Sequence, residues 1–194
     1  MRSGQVICLT VDPPEVLKRV GHDRTRPLLN GPDPEGAVSD LMRAREPAYA
    51  SIPWQVETTD RTVDEVVEAV LGLVDTQFLT VTHPSGSYEI AIGSGLLPYA
   101  GGMVRALGLP RDTVVALISN DVVAPLYADE VIRSLQEAGL RPFLHTLRDG
   151  EAHKRLASVR EIYDACLDAG MDRGGVVIAL GGGVTGDIAG FAAA

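Results

Sequence analysis

Three consecutive glycines, Gly181, Gly182 and Gly183, separate an apolar run, Val-Val-Ile-Ala-Leu at 176–180, from an alanine-rich run at 184–194. The apolar run reads as a buried strand and the alanine-rich run as a helix, with Asp187 in its first turn. Glycine lets the backbone turn sharply between them. A strand, a glycine turn and a helix N-terminus form a cradle for a phosphate or pyrophosphate, because free N–H groups and the positive end of the helix dipole face the ligand. The same three glycines would also serve as a plain tight connection, and the lysine and hydroxyl residue of a GxxxxGK[ST] phosphate loop are missing. Two further groups carry polar chemistry. Asp149-Gly150-Glu151 with Lys154 places carboxylates and a cation after another apolar run. Glu151 is suited to accept hydrogen bonds from ribose hydroxyls and Lys154 to meet ribose or phosphate, while helix capping is the competing role of Asp149 and Glu151. Ser119-Asn120-Asp121 ends a third apolar run.

The elements that must position these groups alternate. Strands are predicted at 113–119, 142–147 and 176–180, and helices at 124–138, 154–169 and 184–194. Such alternation implies βαβ crossovers and a parallel sheet. All three polar groups then fall at the carboxyl ends of strands, where open α/β sheets bind ligands. Before them, segments 78–82 and 88–92 flank His83-Pro84-Ser85-Gly86 as a hairpin, and a helical stretch lies near 97–107. Earlier still, a strand at 5–11, a helix to Val20, a Gly- and Pro-rich loop at 21–36, a helix to Tyr49, a strand at 54–58 and a helix at 63–74 complete a β-α-loop-α-β-α order. In the last helix Val63, Val66, Val67, Val70, Leu71 and Val74 share an apolar face. Lys18, Arg19, Arg24 and Arg26 crowd nine positions of an otherwise acidic chain, which suits either a visiting anion or a solvated helix end.

The 194 residues are 45% hydrophobic and carry a net charge of −9, so broad binding to nucleic acid or an anionic membrane surface is excluded and any anion site must be local. No run is long enough to span a bilayer and no signal segment is present, so the expected location is cytoplasmic. Cys8 and Cys166 have no metal-ligand spacing and are expected to pack as small buried side chains without a disulfide; His22, His83, His145 and His153 likewise show no paired spacing.

ALGGGVTGDIAGFAAA, preceded by DGEAHK, resembles the pair of NAD-binding motifs of the 3-dehydroquinate synthase family, and FLTVTHPSGSYEIAIGSGLL resembles that family's opening hairpin. The resemblance implies NAD as cofactor, with Asn120 at the adenosine end and Glu151 and Lys154 supplied by the DGEAHK motif. It puts Gly182, Gly183, Val184 and Asp187 on the pyrophosphate and nicotinamide side; Asp149, Gly150, Thr185 and Gly186 belong to the same two motifs. It further implies elimination of phosphate from 3-deoxy-D-arabino-heptulosonate 7-phosphate and closure to 3-dehydroquinate, with zinc or another divalent metal whose ligands lie beyond Ala194. No catalytic or metal-binding residue is therefore expected within the 194 residues.

Residues 5–74, with RPLL at 26–29 and RAREPAY at 43–49, are similar to the C-terminal part of shikimate kinase. Carried over, Arg26 would reach ATP phosphates from the lid, Arg19 would contact the nucleotide, Arg45 would bind the shikimate carboxylate and Arg61 would lie beside adenine. That family's phosphate loop and magnesium-holding aspartate have no counterpart here, so residues 1–75 are expected to lack kinase activity alone and to leave an apolar sheet edge. ATP and magnesium belong to the complete kinase.

The expected fold is thus α/β: a Rossmann-like parallel sheet over residues 76–194, preceded by a partial P-loop kinase α/β unit over 1–75. The chain reads as a piece of a longer shikimate-pathway protein that binds NAD without turnover. Its partners are small-molecule substrates, and the resemblance leaves room for a homodimer of the complete enzyme. Two other classes fit the glycine turn: an NAD enzyme of the glycerol or iron-dependent alcohol dehydrogenase type, and a non-catalytic nucleotide-binding or scaffolding module.

Overall fold

A computed structural model describes residues 5–20 and 31–194. Most of the loop expected at 21–36, with Arg24, Arg26 and His22, lies outside the described residues. Two compact units follow one another, dividing between Leu96 and Leu97.

In the first unit, strand β1 (Cys8–Thr10) pairs in parallel with β2 (Gln55–Glu57), and helices α1 (Pro13–Val20), α2 (Pro34–Ala50) and α3 (Val63–Val74) complete it. Both strands are shorter than the runs expected at 5–11 and 54–58, because a two-stranded ladder offers backbone partners over three residues only. The helix starts follow the sequence. Asp33 caps α2 by accepting from the Gly36 N–H at 2.9 Å. Thr62 and Glu65 close a reciprocal capping box on α3. The apolar face of α3 forms, but Val63, Val67, Leu71 and Val74 are exposed and Leu73 is its one buried residue. So small a sheet leaves little surface to cover that face. Strands β3 (Gln77–His83) and β4 (Gly86–Ile92) form the antiparallel hairpin, with Pro84 and Ser85 between the paired ends His83 and Gly86. The hairpin is compact with the first unit, and Phe78 meets Trp54 edge to face at 5.2 Å.

The second unit is a three-stranded parallel sheet in the order β6 (Arg141–Leu147), β5 (Val114–Asn120), β7 (Val176–Leu180). Alternation along β5 builds two cores. Val115 and Leu117 pack on one face with Ala128, Val131 and Leu135 of α5 (Ala124–Glu137). Ala116 and Ile118 pack on the other with Val159 and Ile162 of α6 (Leu156–Asp168) and Ile188 and Ala189 of α7 (Gly183–Ala193). Gly101 in α4 (Ala100–Arg105) presses on α5, since a Cβ there would lie 2.0 Å from the Ser134 carbonyl oxygen. Because α5 covers one face and α7 the other, the chain leaves adjacent strands β5 and β7 in opposite directions. Open α/β sheets bind ligands at such a switch point, outside the carboxyl ends of the strands.

Three expectations are corrected here. Glu151–His153 forms a separate 3-10 turn and α6 begins only at Leu156, so Lys154 precedes the helix. Gly183 is already helical, which puts Asp187 in the second turn of α7 and not in the first. Cys8 and Cys166 are half-buried, and burial pushes both thiols above their ordinary value. Among the described residues no helix is long and apolar enough to cross a membrane.

Candidate functional site

The candidate site of the second unit is built from the segments that follow three strands. After β7, Gly182 sits extended at φ −82° and ψ −169° as the residue before α7, without a side-chain cap. The first helical bond runs from the Gly186 N–H to the Gly182 carbonyl at 3.0 Å, so the N–H groups of Gly183, Val184 and Thr185 have no acceptor within the helix. A Cβ at Gly182, Gly183 or Gly186 would meet nothing within 4 Å, whereas one at Gly181 would lie 2.7 Å from Thr185 Oγ1. Gly181 is therefore required by packing against the buried Thr185. Gly182 is required by neither packing nor conformation, and its missing side chain keeps the helix end open.

After β6, Gly150 takes φ 104° and ψ 152°, a region closed to other residues, and turns the chain into the 3-10 segment that carries Glu151. Lys154 then reaches across to Asp187 Oδ2 at 2.7 Å, with Glu151 Oε1 at 3.6 Å. Its hydrogen bond to Asp187, and then the two negative charges, hold its ammonium above the ordinary lysine value. An open cleft of about 400 Å³ lies beside this pair, with Lys154 and Arg155 at its rim and Leu156, Val159 and Phe191 as apolar walls. Arg155 and Phe191 escaped the sequence reading; the signal was the spacing of four between Asp187 and Phe191, which puts both on one face of α7.

After β5, Ser119 Oγ donates to the Leu180 carbonyl at 2.7 Å, tying the central strand to the glycine turn. Asn120 Nδ2 donates to Asp149 Oδ1 at 2.9 Å. Asp121 Oδ1 accepts from the Asp149 N–H at 3.0 Å. The structure thus joins Asn120 to Asp149 and Lys154 to Asp187 and Glu151, with Gly182 to Gly186 alongside. The cradle fits a pyrophosphate: it offers open N–H groups, a nearby ammonium and carboxylates for hydroxyls. For a metal the described residues do not fit, since no group of three His, Cys, Asp or Glu side chains able to hold one is present among them.

The arginines of the first unit are differently placed. Arg19 donates to the Thr58 carbonyl at 2.6 Å, to Thr58 Oγ1 at 3.1 Å and to Glu15 at 2.8 Å. Arg61 donates to the Glu57 carbonyl at 3.3 Å. Both arginines bond to residues at the end of β2, whereas Arg45 stands exposed on α2. Arg26 lies outside the described residues.

Comparison with known proteins finds two families along the chain. Residues 1–75 match the family model of shikimate kinase, and residues 144–194 match that of the 3-dehydroquinate synthase N-terminal region. A 3-dehydroquinate synthase from Geobacter metallireducens is 49% identical over 116 residues, covering 60% of this chain and 32% of the relative. One from Neisseria meningitidis is 46% identical over the same shares. The chain spans about a third of the length of the curated relatives it matches. Among solved structures, 2-deoxy-scyllo-inosose synthase is similar with a TM-score of 0.52 and 21% identity over 60% of this chain and 32% of that one. The same enzyme complexed with carbaglucose-6-phosphate, NAD+ and Co2+ gives 0.51 and 21%, over 60% and 30%. At that identity the likeness concerns the fold. In order along the chain, residues 1–75 are thus similar to the shikimate kinase family and residues 144–194 to the N-terminal region of the 3-dehydroquinate synthase family.

Proposed function

We propose that the unit from Leu97 onward binds NAD as the cofactor part of a 3-dehydroquinate synthase, and that residues 1–75 are a shikimate kinase segment that transfers no phosphate by itself. The observation that carries the first reading is Gly182, a glycine that neither backbone geometry nor packing demands, at an uncapped helix end beside Lys154. Its relatives' names and the NAD+ in a structural neighbour support the same cofactor. In this reading the N–H groups of Gly183 and Val184 bind pyrophosphate oxygens, and Lys154 turns from Asp187 to share its charge with them. Glu151 accepts from ribose hydroxyls, and Asp149, Gly150, Thr185 and Gly186 shape the two turns. Asp187, released by Lys154, faces the nicotinamide side. NAD when bound would supply the reversible oxidation of a substrate hydroxyl, which acidifies the neighbouring C–H so that phosphate can leave.

In this reading the described residues hold the cofactor, and the proposed behaviour of these 194 residues is binding without turnover. In the kinase segment Arg19 and Arg61 are drawn into bonds with Thr58, Glu15 and Glu57, which supports a supporting role there in place of phosphoryl transfer. Calorimetric titration of NAD+ into the chain, with phosphate release assayed on the same sample with added zinc, tests the reading. Binding without phosphate release is expected. A folded sample that takes up no NAD+ would refute it.

A further inference from the structure

We propose that Asn120 is a positioning residue, which holds the Asp149–Gly150–Glu151 turn in its binding geometry through Asp149. The inference rests on the NAD reading above and adds how the site is held ready. Asn120 ends the central strand β5 and is 6% exposed. Its Oδ1 accepts from the backbone N–H groups of Val122 at 3.1 Å and Val123 at 2.7 Å, which shapes the turn into α5. Its Nδ2 donates to Asp149 Oδ1 at 2.9 Å. The orientation of the amide is fixed by these partners, because an N–H cannot accept and a carboxylate cannot donate.

Both acceptor positions and one of the two N–H groups are thereby occupied, which leaves a single buried N–H and no acceptor for a ribose or adenine. The next residue acts on the same target: Asp121 Oδ1 accepts the Asp149 N–H at 3.0 Å. Residue 149 is thus gripped by side chain and by backbone from two consecutive residues, immediately before the glycine at φ 104°. Beyond Gly150 the chain is held by two short-range bonds, from the His153 N–H to the Gly150 carbonyl and from the Lys154 N–H to the Glu151 carbonyl, both at 3.0 Å. The grip from β5 fixes the direction in which Glu151 and Lys154 leave the sheet, and the loops after β5 and β6 act as one piece.

The test exchanges the two partners. Asn120→Asp keeps the acceptor for Val122 and Val123, since Asp shapes such a turn as well as Asn does, but sets two carboxylates against each other at position 149. Asn120→Asp with Asp149→Asn rebuilds the bond with its polarity reversed. In the 194-residue chain the single variant is expected to bind NAD+ at least about tenfold more weakly, about 1.4 kcal/mol, and the double variant to return to within about threefold of the parent. Amide hydrogen exchange, measured without cofactor, should quicken at residues 149–154 in the single variant and recover in the double, with Val122 and Val123 unchanged in both. A double variant that binds no better than the single would overturn the proposal. Unchanged exchange at residues 149–154 in the single variant would overturn it equally. If the parent chain itself bound no NAD+, the cofactor reading would fall, while the exchange data would still decide whether Asn120 holds the turn.

Discussion

Valine at position 182 separates a ligand surface from a folding requirement. The backbone of Gly182, at φ −82° and ψ −169°, is extended and open to any residue, and the new Cβ meets nothing within 4 Å. Two small effects on stability oppose each other. Valine is a poor residue before a helix, a loss of roughly 0.5–1 kcal/mol, and replacing glycine restricts the unfolded chain, a gain of roughly 0.4–1 kcal/mol. The melting temperature of Gly182→Val should therefore move by no more than a few degrees. Binding should respond differently, because the isopropyl group projects into the open space beside the uncapped start of α7. Loss of one hydrogen bond to a charged oxygen corresponds to about 1.5–3 kcal/mol, or roughly ten- to 150-fold in NAD+ affinity by calorimetry. Gly181→Val is the companion: its Cβ would lie 2.7 Å from Oγ1 and 3.0 Å from Cβ of Thr185, which is 2% exposed and cannot yield. That variant should lose about 1–3 kcal/mol of stability through overpacking. Unaltered NAD+ affinity in a folded Gly182→Val protein would refute the reasoning.

Other perturbations address the same site and its neighbours. Glu151→Ala should weaken NAD+ binding by about 1–3 kcal/mol through a lost charged hydrogen bond to ribose; calorimetry showing no change would leave Glu151 only its pairing with Lys154. Gly150→Ala forces a Cβ into a glycine-only region and should lower stability by about 1–3 kcal/mol in thermal melts, with NAD+ affinity falling alongside. An unshifted melt would show that the bend is not held. Glu57 supplies a pH dependence: burial pushes its carboxyl up, but hydrogen bonds from Thr59, Thr10 and Thr58 outweigh this and leave it below the ordinary 4.5. A depressed carboxyl stabilises the fold above its unfolded value, and that contribution is lost as pH falls through the folded value, so the loss belongs below 4.5. Melts of Glu57→Gln should be lower than the parent near neutrality and flatter in acid; parallel profiles would contradict this.

Much of the second unit was legible because its strands are short apolar runs and α5 and α6 are each followed by a glycine in the left-handed region, Gly139 and Gly170. The strands at Val114–Asn120, Arg141–Leu147 and Val176–Leu180 lie within a residue of the runs that announce them. The strand order was not legible, since neighbours in a parallel sheet need not be neighbours in sequence. Without it the bond from Asn120 to Asp149, across 29 positions, has no local trace. The position of Asp187 failed for a local reason: three glycines suggest a three-residue turn, yet the helix already takes the third. In the first unit the amphipathic pattern of α3 was plain, but pattern alone does not say what covers it, and Val63 is 78% exposed.

The central claim is that NAD sits at the carboxyl ends of β5, β6 and β7. An NMR titration of the 15N-labelled 194-residue chain with NAD+ tests it residue by residue. Saturable shifts should concentrate at the amides of Gly182, Gly183 and Val184 and of residues 149–154, with the first unit unmoved. Absence of shifts at those amides, or saturable shifts confined to other residues, would contradict it.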